Sequence, residues 1–182
     1  MTRVYLSLGS NVGDRLSVLR AAVRRLGGLE TVRFVDASPL YDSEPWESEP
    51  GKTAGEQRWY LNCVVAIETS LTPRALLAEI QAIERGLGRT RPPGTPEAQR
   101  YAPRTLDIDI LFYGDQVLSA SDDLQVPHLL LAERGFVLRP LADLAPELEH
   151  PTFYRSVREL LDELVDEHDI RAGDYPARWF ED

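Results

Sequence analysis

Asp107 and Asp109 stand two residues apart in the run Leu106-Asp107-Ile108-Asp109-Ile110-Leu111-Phe112. On a strand this spacing sends both carboxylates out of one face with Cα atoms ~6.6 Å apart, and leaves Ile108 and Ile110 for the opposite, core face. Aspartate is disfavoured in strands, and neighbouring carboxylates raise each other's pKa unless a cation intervenes. The hard cation that suits carboxylate and phosphate oxygens together is Mg²⁺. Arg104 lies three residues before the first aspartate. Between Arg85 and Arg104 the chain carries Arg85, Arg89, Arg91, Arg100 and Arg104 against a single acid, Glu97. Guanidinium forks beside a carboxylate pair match a metal-bound polyphosphate, with the metal and arginines neutralising phosphates and the carboxylates holding the metal. The same residues also fit a solvated strand face with surface Arg–Asp pairs, which are common and contribute little.

Several elements must position these groups. Val4 to Leu8 alternates as a half-buried strand and runs into the turn-rich stretch Gly9-Ser10-Asn11-Val12-Gly13-Asp14. Leu16, Leu19, Val23 and Leu26 recur at helical spacing, and Gly27-Gly28 ends that helix. A second strand is expected over about Glu30 to Tyr41 and a third over Tyr60 to Thr69, with Leu61, Cys63, Val65 and Ile67 on one face. Thr72 and Pro73 suit the N-cap and first position of a helix whose apolar stripe is Leu76, Leu77, Ile80 and Ile83. The aspartate strand follows. This order, βαββαβ, predicts a ferredoxin-like α+β fold, an antiparallel sheet with helices on one face. Helical additions follow it, one partly helical over Arg134 to Leu144 and a last one carrying Val157, Leu160, Leu161, Leu164 and Val165 behind a Ser156–Glu159 capping box. Two connections are long, about Asp42 to Trp59 and Gly86 to Pro103, and the arginine cluster in the second favours a functional role there.

The 182 residues fit one domain, 1–182, and 43% apolar residues indicate a globular chain. No apolar run approaches the ~20 residues of a membrane helix, and the N-terminus enters a strand pattern directly, so neither a membrane span nor a signal peptide is expected. Cys63, the single cysteine, suits a reducing cytosol and a cytoplasmic location. A net charge of −10 argues against nucleic-acid binding.

RTLDIDILFYG, preceded by AP, closely resembles the signature of the 6-hydroxymethyl-7,8-dihydropterin pyrophosphokinase family. LSLGSNVGDR, YLNCVVAIETSL, IERGLGRTR and VPHLLLAERGFVLRPLADLAPEL resemble further blocks of that family, in its order, and together reach from about residue 3 to residue 150. The resemblance implies a ferredoxin-like fold with three mobile loops closing over ATP, two Mg²⁺ ions and the pterin. By the same resemblance Asp107 and Asp109 are the metal-binding aspartates, and with Arg89 and Arg104 they form the catalytic set. Gln81, Glu84, Arg91, Arg100, Ile110, His128 and Arg134 join these arginines around ATP. Ser43, Pro45, Trp46, Tyr60, Asn62, Tyr101 and Phe136 join Asp107 around the pterin, with Glu44 in the same loop. Asn62 would read the pterin's amide edge, and Phe136 and Tyr60 would sandwich its ring. Read without the resemblance, His128 is a turn histidine satisfied by backbone and the aromatics are core packing. Three departures stand out: Tyr101 where the family often has tryptophan, Leu129 after His128, and the inserted run Pro92 to Pro96.

The expected reaction is attack of the pterin hydroxyl on the β-phosphorus of ATP with release of AMP. Whole pyrophosphoryl transfer also agrees with the lack of a GxxxxGK[ST] cradle and with Lys52, far from the aspartates, being the only lysine. The expected partners are ATP and hydroxymethyl-dihydropterin alone, with a monomeric chain. A different two-metal enzyme, such as a nucleotidyl transferase, and a catalytically silent ferredoxin-like binding module are the alternatives. The first would not need pterin recognition at Asn62 and the aromatics, and in the second the aspartates and arginines would tolerate replacement without loss of function.

Overall fold

The computed structural model describes residues 1–46, 59–89, 104–121 and 124–181. In chain order it contains β1 (Thr2–Ser10), α1 (Arg15–Gly27), β2 (Val32–Ala37), β3 (Tyr41–Ser43), β4 (Tyr60–Thr69), α2 (Pro73–Gly86), β5 (Asp107–Tyr113), β6 (Leu118–Ser121), β7 (Leu124–Val126), α3 (Gly135–Leu144), α4 (Val157–Asp162) and β8 (Ile170–Ala172). The result is a mixed α/β fold on an antiparallel sheet of order β5-β1-β4-β3-β8, with β2 also alongside β4. β1 and β4 pair over their whole length, from Thr2 opposite Thr69 to Ser10 opposite Leu61. β6 and β7 form a separate hairpin that the apolar pattern does not announce.

The local signals for the first two helices hold. The Asp14 carboxylate caps α1, accepting from the Ser17 amide at 3.1 Å and its hydroxyl at 2.8 Å. Thr72 caps α2 through the Ala75 amide at 3.3 Å, with Pro73 at its first position. Both helices lie on one sheet face, over a core that includes Leu6, Leu8, Leu61, Cys63, Val65 and Ile108.

α3 and α4 occupy the opposite face, where Val137, Leu138, Leu141 and Val157 pack on Val64, Leu111 and Phe112. The helices are thus divided between the two faces. A register shift in β5 enlarges the second core. Ile110 lies opposite Leu6 and Phe112 opposite Tyr5, so Leu111 is an extra residue. Ile108, Ile110 and Tyr113 then face α1 and α2, while Leu111 and Phe112 both enter the second core. The far end of that second face, where Asp107 and Asp109 emerge, is the candidate site.

Two expected elements come out differently. The strand expected over Glu30 to Tyr41 is broken into β2 and β3 at Ser38. The Ser38 amide still donates to the Val64 carbonyl at 2.8 Å, but the Val64 amide donates to the Ser38 hydroxyl at 2.9 Å. The Ser38 carbonyl turns away to accept from the Trp179 indole at 2.9 Å, and Pro39 has no N–H to offer the ladder. The last helix stops at Asp162, and Val165, expected on its apolar stripe, is 92% exposed. Its capping box is present as read: the Ser156 hydroxyl accepts from the Glu159 amide, and the Glu159 carboxylate from the Ser156 amide. Among the described residues no helix is long and apolar enough to cross a membrane.

Candidate active site

The site is a patch of the open sheet face, and strand register sets its layout. Asn62 on β4, Gly9 on β1 and Asp107 on β5 form one cross-strand row. Val64, Ser7 and Asp109 form the next. Cross-strand partners share a face, so the two carboxylates and the Asn62 amide look out on the same side.

Asp107 is held between two arginines. Arg89 Nη1 lies 2.7 Å from one carboxylate oxygen and Arg104 Nη1 2.5 Å from the other. Both arginines are anchored from behind, Arg104 through its backbone and Arg89 through its guanidinium. The Asn11 side-chain oxygen accepts from the Arg104 amide at 2.8 Å, and the Asn11 amide donates to the Arg104 carbonyl at 3.3 Å. Arg89 pairs with buried Glu84 at the end of α2. Glu84 also accepts from the Ile108 amide at 2.8 Å, tying α2 to the aspartate strand. Gln81 lies half-buried on α2 one turn earlier.

The electrostatics are those of two neighbouring carboxylates, one of them buried. Burial first, and then the neighbouring Asp107 charge, pushes the Asp109 carboxyl up to about 7, against the pull of Arg134 and Arg89. Burial also raises Glu84 despite Arg89 beside it. Among the described residues no three His, Cys, Asp or Glu side chains converge as a metal cage. That donor set still fits Mg²⁺, which takes one or two protein carboxylates and fills its octahedron with phosphate oxygens and water. A polyphosphate could take over the N–H groups of Arg89 and Arg104, freeing both Asp107 oxygens for the metal.

His128 is fixed at the border of the site. Its amide donates to the Leu111 carbonyl at 3.0 Å, and its Nδ1 accepts from the Leu130 amide at 3.2 Å. Burial and Arg134 lower its pKa to about 4, so the ring is neutral near pH 7 with its proton on Nε2.

Beyond the Asn62 row lie the aromatics. The Asn62 amide donates to the Ser43 hydroxyl at 2.7 Å, and both side chains are buried. The Arg134 guanidinium sits 4.9 Å from the Trp46 ring centre and 5.6 Å from that of Phe136, flanked by two π faces. Arg134 Nε is buried with no hydrogen-bond partner among the described residues. Phe136 and Trp46 thus share the Arg134 guanidinium, while Tyr60 lies beside Gly9. Pro45 is buried in the same loop.

Most of the residues expected at the site do converge on this patch. Ile110 does not: its side chain is buried in the α1–α2 core, on the face opposite the carboxylates. Arg91, Arg100, Tyr101 and the Pro92 to Pro96 insert lie outside the described residues. The sequence reading passed over Gly9, Asn11 and the partner of Glu44. Glycine inside a strand is a signal for close approach, and a Cβ on Gly9 would lie 2.8 Å from Asn62 Oδ1. Asn11 carries no comparable mark, because its partner Arg104 is distant in sequence.

The family model described as 7,8-dihydro-6-hydroxymethylpterin-pyrophosphokinase matches residues 5–146. The chain is 45% identical over 149 residues to the 2-amino-4-hydroxy-6-hydroxymethyldihydropteridine pyrophosphokinase of Methylorubrum extorquens, covering 81% of this chain and 85% of that one. With the enzyme of the same name from Pseudomonas aeruginosa it shares 42% over 149 residues, 82% and 84% of the two chains. It matches the folic acid synthesis protein fol1 of Schizosaccharomyces pombe at 41%, spanning 20% of that longer chain. The crystal structure of wild-type Plasmodium falciparum HPPK-DHPS superposes with a TM-score of 0.64 over 89% of this chain and 44% of that one, at 16% identity, a likeness of fold alone.

Proposed function

The chain belongs to the 7,8-dihydro-6-hydroxymethylpterin-pyrophosphokinase family, and from that premise we propose how its site carries out the family reaction. The protein transfers the pyrophosphoryl group of ATP to 6-hydroxymethyl-7,8-dihydropterin, giving AMP and the pterin pyrophosphate for folate synthesis. The hydroxymethyl oxygen attacks the β-phosphorus, the bond from that phosphorus to the α–β bridging oxygen breaks, and the hydroxyl proton goes to solvent. The observation that carries this reading is the single row from Asn62 through Gly9 to Asp107, which sets a polar reader of a flat heterocycle beside a carboxylate held by two arginines.

No side chain needs to act as nucleophile, because phosphoryl-type transfer is chiefly position and charge. Arg89 and Arg104 bind phosphate oxygens, backed by Glu84 and Asn11. Neutral His128 offers its Nε2–H as a donor at the same edge. Asn62, oriented by Ser43, reads the pterin amide edge, and Phe136 supplies a stacking face, with Trp46 in reach as well as Tyr60. Asp107 and Asp109 would hold two Mg²⁺ ions with ATP, which when bound would supply charge neutralisation and ease loss of the hydroxyl proton. We further read the strand order as ferredoxin-like with β2 and β3 as one interrupted strand, the chain as one pyrophosphokinase domain over 1–182 acting as a monomer, and its location, from free and buried Cys63, as cytoplasmic.

The test is product identity. Incubate the protein with Mg²⁺, the pterin and ATP labelled on the β-phosphate. Label should move to the pterin with equimolar AMP. ADP with a pterin monophosphate would mean terminal transfer instead, and inertness towards the pterin would refute the assignment.

A further inference from the structure

Residues 147–181 follow the stretch that the family model matches, yet they reach back to both walls of the Trp46–Arg134–Phe136 stack. On one wall β8 pairs with β3, Ser43 opposite Ile170. One step further the Glu44 amide donates to the Asp169 carbonyl at 3.0 Å, and the Asp169 amide donates to the Glu44 carboxylate at 3.0 Å. Glu44 is buried there.

On the other wall, α3 starts without a cap of its own. Its N-cap residue is Arg134, whose side chain makes no capping bond and points into the aromatic stack. The Gly135 amide donates instead to Asp166 Oδ2 at 2.9 Å. The other Asp166 oxygen accepts from the His168 amide at 3.1 Å and lies 2.6 Å from His168 Nδ1. The Asp166 side chain is 5% exposed. The seam is closed to contact: a Cβ on Gly135 would lie 2.6 Å from Ile170 Cδ1 and 3.0 Å from Asp166 Oδ2. Beside it opens a cavity of about 670 Å³ bordered by Trp46, Glu133, Asp166 and His168.

We propose that Asp166 is a positioning residue for the pterin. Through the Gly135 amide it fixes Arg134 and Phe136, while the next turns of the same segment fix Ser43 to Trp46. A carboxylate is well suited to the task, since it meets both an orphan helix N–H and the positive end of α3. The two arginines that grip Asp107 do not depend on this segment, because Arg89 pairs with Glu84 and the Arg104 backbone with Asn11, so the nucleotide side meets the segment only through Arg134. The inference rests on the pyrophosphokinase reading above.

The test uses the full chain with Asp166→Ala, Asp166→Asn and Gly135→Ala, measuring KM for pterin and for ATP alongside thermal melting. Asp166→Ala should raise the pterin KM about tenfold, the scale of a lost buried hydrogen bond to charge. The ATP KM should rise clearly less than the pterin KM, since Arg89 and Arg104 keep their own anchors and only Arg134 is shared. Asp166→Asn keeps an acceptor for the Gly135 amide and should recover most of the loss. Gly135→Ala pushes on the same seam from the other side and should reproduce the pterin effect, which keeps the inference testable if Asp166→Ala does not fold. A pterin KM unchanged in both Asp166→Ala and Gly135→Ala, or a parallel rise in both KM values, would overturn it in an active enzyme. A wild-type chain that makes no pterin pyrophosphate would overturn the underlying reading first, and the inference with it.

Discussion

Adding one methyl group at Gly9 should uncouple pterin binding from nucleotide binding. The Cβ of an alanine there would lie 2.8 Å from Asn62 Oδ1 and 3.8 Å from Tyr60 Cδ1, and its three nearest atoms all belong to those two residues. Carbon–oxygen contacts settle at about 3.3–3.6 Å, so the amide must withdraw by roughly 0.5 Å. It has little freedom to do so, since its nitrogen is bonded to the Ser43 hydroxyl at 2.7 Å and the side chain is 2% exposed. Overpacking of this kind costs about 1–3 kcal/mol, shared between stability and the geometry of the amide. If most of it falls on the amide, the pterin KM rises roughly 5- to 150-fold at about 1.4 kcal/mol per decade. ATP affinity should fall far less, because the added methyl meets Asn62 and Tyr60 and none of the groups that hold the phosphates. Calorimetric titration with a non-hydrolysable ATP analogue and Mg²⁺, then with pterin, reads the two separately. Equal weakening of both ligands, or an unchanged pterin affinity in a folded variant, would refute the row as the link between Gly9 and substrate.

Two further outcomes follow from burial and charge. In the metal-free protein Asp109 titrates at about 7 against about 4 when unfolded, so its contribution is fully present below pH 4 and is lost as pH rises to 7, a span worth about 2–4 kcal/mol. Asp109→Asn should therefore raise the melting temperature in EDTA at pH 8 more than at pH 4.5 while abolishing turnover, and an equal shift at both pH values, or wild-type turnover, would contradict the site electrostatics. Trp179 is fully buried and bonded to Ser38, so Trp179→Ala should lower unfolding free energy by about 3–5 kcal/mol in urea titration, and a loss below about 1 kcal/mol would show that the indole does not hold the β2–β3 break.

The candidate site was legible in part because its residues are both chemically distinctive and locally spaced. Asp107, Asp109 and Arg104 fall within six residues, and two-residue periodicity alone puts the carboxylates on one face. Arg89 and Glu84 could be named from the resemblance, but not their mutual pairing or its extension to Asp107 and the Ile108 amide. Those contacts join the end of a helix to a strand that starts some twenty residues later, and no local pattern encodes that distance. The meeting of Trp46, Arg134 and Phe136 was not legible either, because it joins the loop after β3 to the start of α3.

Caps and stripes are short-range matters of hydrogen bonding and burial, so α1, α2 and the start of α4 were determined by the sequence alone, as were the inward faces of β1 and β4. The length of α4 was not: its apolar residues continue to Val165, but the chain leaves the helix at Asp162 and delivers Asp166 to Gly135. Nor was the break between β2 and β3, which depends on Trp179 meeting the carbonyl of Ser38 across 141 residues of chain. That Phe112 joins Leu111 beneath α3 and α4 depends on the register shift between them, which shows only in register against β1. In each case a backbone group's partner is remote in sequence, so the choice between competing local structures is made by packing and not by propensity.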